Sequence, residues 1–145
     1  MRQKVILSFD PGETTGYCAM TLKGTVRGFG EFSLSSRVVW LLRHYHPSVV
    51  VVESFALYPH KATAQIGSSF RTVEVIGVIR HVCAQHHTTL VEQPANQRAF
   101  FKVRGRVRRY APTVRGKHAL DATRHLLYYL CFKTKTVPFQ KETPS

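Results

Sequence analysis

Residues 49–59 read VVVVESFALYP, four consecutive valines closed by one glutamate, Glu53. A short unbroken run of β-branched residues, bounded by polar and turn-forming neighbours, reads as a strand buried on both faces. The stretch before it has a different period. Val38, Leu41, Leu42 and Tyr45 share one face of a helix that Ser35 or Ser36 can open and Pro47 ends. Further upstream KVILSFD, 4–10, is a second apolar run, stopped by the turn pair Pro11 and Gly12. TGYCAMTL and TVRGFGEF follow, joined at Lys23 and Gly24, and predict an antiparallel hairpin. Strand, helix and strand in succession make a right-handed crossover, which lays 48–53 parallel to a strand of the existing sheet. The pattern predicts an α/β fold with a mixed sheet: hairpin strands first, parallel strands after.

Downstream, residues 66–87 predict a long helix with a narrow polar stripe of Arg71, Glu74, His81 and Gln85. Apolar residues cover most of the remaining circumference, more than one sheet can bury. That predicts either a homodimer partner over the helix or a helix sunk in its own domain. TTLVEQ reads as the last strand, and Pro94 opens a helix near ANQRAFFKV. RGRVRRYAPTVRGK, 104–117, holds six Lys or Arg in fourteen residues, and Gly105, Pro112 and Gly116 predict irregular backbone there. A final helix runs from about His118 to Leu130. One domain, 1–131, and a basic C-terminal tail, 132–145, account for the chain.

The formal net charge is +13, from 21 Lys and Arg against 8 Asp and Glu. Self-repulsion of that size disfavours a compact state, so a polyanionic partner is the natural inference. No apolar run approaches the roughly 20 residues a spanning helix needs, and the run after Met1 is too short for a signal peptide, so a cytoplasmic protein is expected. Three cysteines, Cys18, Cys83 and Cys131, stand far apart with no paired spacing, which fits a reducing compartment. The eight histidines show no zinc-ligand spacing with cysteine; His44, His46, His86 and His87 read as helix-end residues.

Carboxylates are scarce, and their positions are informative. The only aspartates are Asp10, closing the first strand, and Asp121. If the strands ending in Asp10 and Glu53 are parallel neighbours, their ends lie about 4.8 Å apart, at the sheet edge where open α/β folds place ligands. Two such charges stay ionised only with a cation or a strong donor between them. Mg²⁺ suits them, because it takes hard oxygen ligands and keeps positions for water and phosphate. His118 and Asp121 share a helix face and can join the cluster, with His125 one turn further on. Each acid also has a plain structural reading: Glu53 as a strand-end surface residue, Asp10 as an Asx-turn residue, Asp121 as an ion-pair partner of Arg124 or His125. Scarcity, strand-end placement and a basic background together favour the metal site.

The order FDPGETTGYC, VVVVESF, HALDATRHL resembles the RNase H-like nuclease superfamily and within it the RuvC-type Holliday-junction resolvases, including small phage-encoded members. The likeness spans about 4–130. It implies a five-stranded mixed sheet flanked by helices, and a site of Asp10, Glu53, His118 and Asp121 holding two Mg²⁺ or Mn²⁺ ions. It also implies a homodimer through the helix at 66–87, which spaces two sites for paired nicks in four-way DNA, leaving 5′-phosphate and 3′-hydroxyl ends. EQPANQRAFFKVRG is similar to the family's stretch after the last strand, with Lys102 as the basic residue expected to line the site.

Hydrolysis fits those residues: two ions about 4 Å apart, bridged by one carboxylate, activate water and neutralise the leaving oxygen. Asp10 is the expected bridge, Glu53 and Asp121 each hold one ion, and His118 is a ligand or a general base. For DNA, the expected phosphate contacts are Lys102, Arg104, Arg106, Arg108, Arg109, Arg115 and Lys117. Phe55 and Tyr58 can stack on unpaired bases or simply pack, and Phe70 is expected in the core. Three other readings compete. An actin-like or sugar-kinase ATPase would use the same DPGETTG turn but needs two lobes; a branched-DNA or RNA-processing nuclease of the YqgF type and a non-catalytic DNA-binding module keep the same basic surface.

Overall fold

The computed structural model describes residues 2–55, 62–102 and 105–140, with 62–69 as backbone only. Tyr58, Arg104 and the residues after Gln140 lie outside them. Five strands form one sheet in the order β3-β2-β1-β4-β5. They are β1 (Val5–Asp10), β2 (Thr15–Thr21), β3 (Val26–Phe32), β4 (Val49–Glu53) and β5 (Thr89–Gln93). The β1–β2–β3 meander is antiparallel, and β4 and β5 add parallel on the other side of β1. The mixed sheet expected from the sequence is present, flanked by helices on both faces.

Strand alternation divides the core into two layers. Ile6, Cys18, Met20 and Val51 point to one face, against Phe101, Leu126, Leu127 and Leu130. Leu7, Phe9, Ala19, Val50 and Val52 point to the other, against α1 (Ser36–Tyr45) and α2 (Ala62–Gln85) through Leu41, Leu42, Ile76 and Ile79. Each fully buried aliphatic side chain contributes about 1.5–3 kcal/mol, so the doubly buried β1 and β4 anchor the domain. Helix α1 ends as expected, with His46 in the left-handed region (φ 46°) just before Pro47. The cysteines are buried and unpaired, and burial raises the Cys18 thiol to about 12, leaving it inert.

Three sequence expectations change. Within the basic stretch, Arg106–Tyr110 forms a short helix, α4, because left-handed Gly105 (φ 77°) turns the chain into it and Val107 is buried beneath it. Residues 132–140 fold back onto the domain: Val137 is buried, Phe139 packs on Phe100 and Phe132, and the Gln140 N–H donates to the Tyr110 hydroxyl at 2.6 Å. Phe70, expected in the core, is 74% exposed, and Val73 one turn on is 51% exposed. The helix expected at 66–87 spans Ala62–Gln85 and buries Val75, Ile76, Ile79, Val82 and Cys83.

Candidate active site

The register sets the site. Phe9 pairs with Val52 across the parallel β1–β4 ladder, so Asp10 and Glu53, one residue on, end the two strands side by side. Glu53 in turn pairs with Gln93 of β5. A row of three polar side chains thus caps the carboxyl edge of the sheet.

Helix α5 (Lys117–Tyr128) supplies the second wall. Ser8 ties it to β1 by donating to the Ala122 carbonyl at 2.8 Å. Its first turn lies directly on β2 at Gly16, where any Cβ would collide with the His118 carbonyl. Glu31 accepts the His118 N–H at 3.0 Å, a carboxylate satisfying an orphan donor at a helix start. His118 is thereby held with its Nδ1 3.4 Å from Asp10 Oδ2.

The remaining contacts centre on Arg98, from α3 (Ala95–Ala99), the helix that Pro94 opens. Its Nη1 donates to Asp121 Oδ2 at 2.9 Å, and its Nε lies 2.8 Å from Glu53 Oε2. The second contact is an ion pair without hydrogen-bond alignment, because Nε has no aligned acceptor. Asp121 Oδ1 takes Arg124 Nη1 at 2.5 Å, so its plain ion-pair reading holds as well. Glu53 Oε2 also meets Nε2 of the fully buried His125 at 2.8 Å, whose Nδ1 sits 2.9 Å from Gln93 Oε1. The Gln93 amide on one side and the Glu53 carboxylate on the other hold the ring in place, so that it braces Glu53.

Asp10 is the acid left without an arginine. Burial pushes its carboxyl from the ordinary 3.8 to about 6, and the charges of Glu53 and Asp121 push the same way, against Arg98 and His118. The donor set of hard carboxylate oxygens fits Mg²⁺ or Mn²⁺ in kind, and the raised Asp10 marks a place short of positive charge. Arg98 partly fills that need. Among the described residues no three acidic, histidine or cysteine side chains stand ready-placed around a metal, since Glu53 and Asp121 turn toward guanidinium groups.

Sequence reasoning thus brought Asp10, Glu53, His118 and Asp121 to one edge but missed Arg98, and His125 as a brace. Lys102, expected to line the site, is exposed on the 3₁₀ turn Phe100–Lys102; Arg98 stands there instead. A basic residue one helical turn past Pro94 was the available signal. Arg106 is not directed at solvent phosphate: it donates to the Phe100 carbonyl at 2.7 Å and lies over the Phe100 and Phe139 rings. Arg108, Arg109, Arg115 and Lys117 are exposed, as phosphate contacts need to be, and Phe55 is 38% exposed.

No family model and no curated relative matches this chain. Solved structures share its architecture. RuvC of T. thermophilus in complex with a Holliday junction substrate is 16% identical with a TM-score of 0.73, over 92% of this chain and 97% of that one. Fowlpox virus resolvase, in complex with substrate Holliday junction DNA, is 15% identical at 0.56, over 87% and 96%. The yeast mitochondrial Holliday junction resolvase Ydc2 is 9% identical at 0.58, over 92% and 80%. The fold is therefore RNase H-like, in the form these resolvases share.

Proposed function

We propose that this chain is a divalent-metal-dependent endonuclease that resolves four-way DNA junctions by paired phosphodiester hydrolysis. The observation that carries this reading is the parallel register ending β1 and β4 in Asp10 and Glu53, with Asp121 and His118 facing them from α5. Support comes from the fold shared with junction resolvases and from the +13 charge.

Asp10, Glu53 and Asp121 would hold two Mg²⁺ or Mn²⁺ ions, which supply Lewis-acid stabilisation of the attacked phosphate and of the leaving oxygen. His118, beside Asp10, takes the proton of the attacking water. Water oxygen bonds to phosphorus, the P–O3′ bond breaks, and the departing oxygen takes a proton from solvent water, giving 5′-phosphate and 3′-hydroxyl ends. Arg98, which pairs with Glu53 and Asp121, would be free to neutralise a non-bridging phosphate oxygen where those carboxylates hold cations instead. Exposed Arg108, Arg109, Arg115 and Lys117 hold DNA phosphates. Two chains joined over the exposed Phe70 and Val73 of α2 would present two sites for paired nicks.

The arginine-closed carboxylates are the one feature that favours a non-catalytic DNA-binding module. Labelled four-way, forked, duplex and RNA substrates incubated with Mg²⁺ or Mn²⁺ separate the readings. Symmetric paired nicks in the four-way substrate are expected; binding with no cutting in either ion refutes the enzyme, and RNA cutting alone refutes the substrate.

A further inference from the structure

We propose that the end of the sheet opposite the carboxylates carries a second DNA contact, a cleft that takes the phosphodiester backbone of a junction arm leaving the site. The proposal rests on the DNA-binding part of the reading above, and not on cleavage.

The cleft, of about 530 Å³, lies where β1, β3 and β4 begin and is lined by Arg2, Lys4, Arg27, His44 and His46. No carboxylate among the described residues lines it. Among the described residues Asp10, Glu13, Glu31, Glu53 and Asp121 cluster at the catalytic end, while Glu74 and Glu92 pair with Arg71 and Arg80. Among the described residues Arg2, Lys4 and Arg27 form no ion pair; the Arg27 guanidinium meets the Gln3 side-chain oxygen at 3.3 Å. In a chain already at +13, grouping unpaired cations in one hollow costs stability unless an anion shares it.

The wall is built rather than incidental. Tyr45 lies across β3 because Gly28 has no side chain; a Cβ there would collide with the Tyr45 hydroxyl. Along α1, Arg37 covers one part of the Trp40 ring at 4.1 Å, and His44 stacks on that ring at 4.7 Å and 9°. His44 then meets Tyr45 edge-on at 4.7 Å. This pile fixes the side of the cleft, and the cations that line it make charge the means of recognition. Ser48 adds a hydroxyl at the rim. Cationic ends carried on long side chains, with no carboxylate among the lining residues, suit a phosphate backbone, which carries no base information.

Five residues of β1 separate the cleft from Asp10, about 17 Å, the rise of roughly five base pairs. An arm must extend beyond that length to reach it. The test compares Arg2→Ala/Lys4→Ala/Arg27→Ala with the parent on four-way junctions with loop-capped arms of about 5 or about 20 base pairs. Affinity is measured by anisotropy in EDTA across a salt series. On long arms the variant is expected to bind on the order of 100-fold more weakly at 0.15 M salt, with the slope of log K against log salt shallower by about 2.7. On short arms it should match the parent. Equal affinity on long arms, or the same loss on both lengths, overturns the proposal. The Gln triple at the same positions keeps side-chain length and should behave like the Ala triple; a loss confined to the Ala variant points to packing and also overturns it. Arm-dependent loss in a chain that cuts nothing leaves this inference standing and refutes the nuclease; junction cutting by a chain whose variants bind like the parent does the reverse.

Discussion

Replacing Asp10 by Asn should stabilise the metal-free protein while abolishing cleavage. The Asp10 side chain is 14% exposed, and its carboxyl sits at about 6 instead of 3.8. With the folded value raised, the protonated form favours the native state. That contribution is fully present below about 3.8 and is lost as pH rises through about 6. The displacement corresponds to ~3 kcal/mol, so at pH 7.5 the ionised parent is less stable than the asparagine variant by up to that amount. For a chain of this size the difference is about 6–12 °C in Tm. The assay is urea unfolding in EDTA at pH 4 and pH 7.5. A gain at the higher pH that shrinks at the lower is expected. Mn²⁺ at pH 7.5 should then stabilise the parent more than the variant, because binding to the folded state alone adds stability. An equal difference at both pH values would refute the electrostatic account of Asp10.

His125→Ala removes the brace on Glu53 and should weaken Mn²⁺ binding about 10–100-fold by calorimetry, the size seen when groups behind metal ligands are lost; unchanged affinity would show that Glu53 needs no brace. Gly16→Ala forces β2 and the first turn of α5 apart, so the His118–Asp10 contact should loosen, and a destabilisation of about 1–3 kcal/mol is expected in urea unfolding. A Gly16→Ala protein as stable as the parent would place the strand–helix contact elsewhere. Phe70→Glu should convert a dimer to a monomer in light scattering at micromolar concentration, and a dimer that survives it would be built on another surface.

The strand ends were legible because two independent patterns agreed on them. Apolar runs of four to six residues each stopped at an acid, and the helix between them dictated a parallel pairing that put the acids together. Helix α5 was legible from the run HALDATRHLLYYL, and the three-residue spacing of His118 and Asp121 put both on one face. Arg98 was not: in a chain with 21 basic residues an arginine carries no periodic signature, and its reach to Glu53 and Asp121 depends on how α3 leaves β5. Arg106 was misjudged for a related reason. Its packing over Phe139 joins residues more than thirty positions apart, a closeness that local charge density does not reveal. The helix α4 escaped notice because Gly105 and Pro112 are breakers that here mark its two boundaries.

The return of residues 134–140 across the domain ties two regions that look separable in the sequence. Phe139 sits in a nest of Phe100, Phe101 and Phe132 with Arg106 laid over it, and Val137 closes the same layer. Trimming the chain after Cys131, where composition suggests a harmless cut, would strip the lid from this aromatic nest and unmoor the arginine-bearing turn above it.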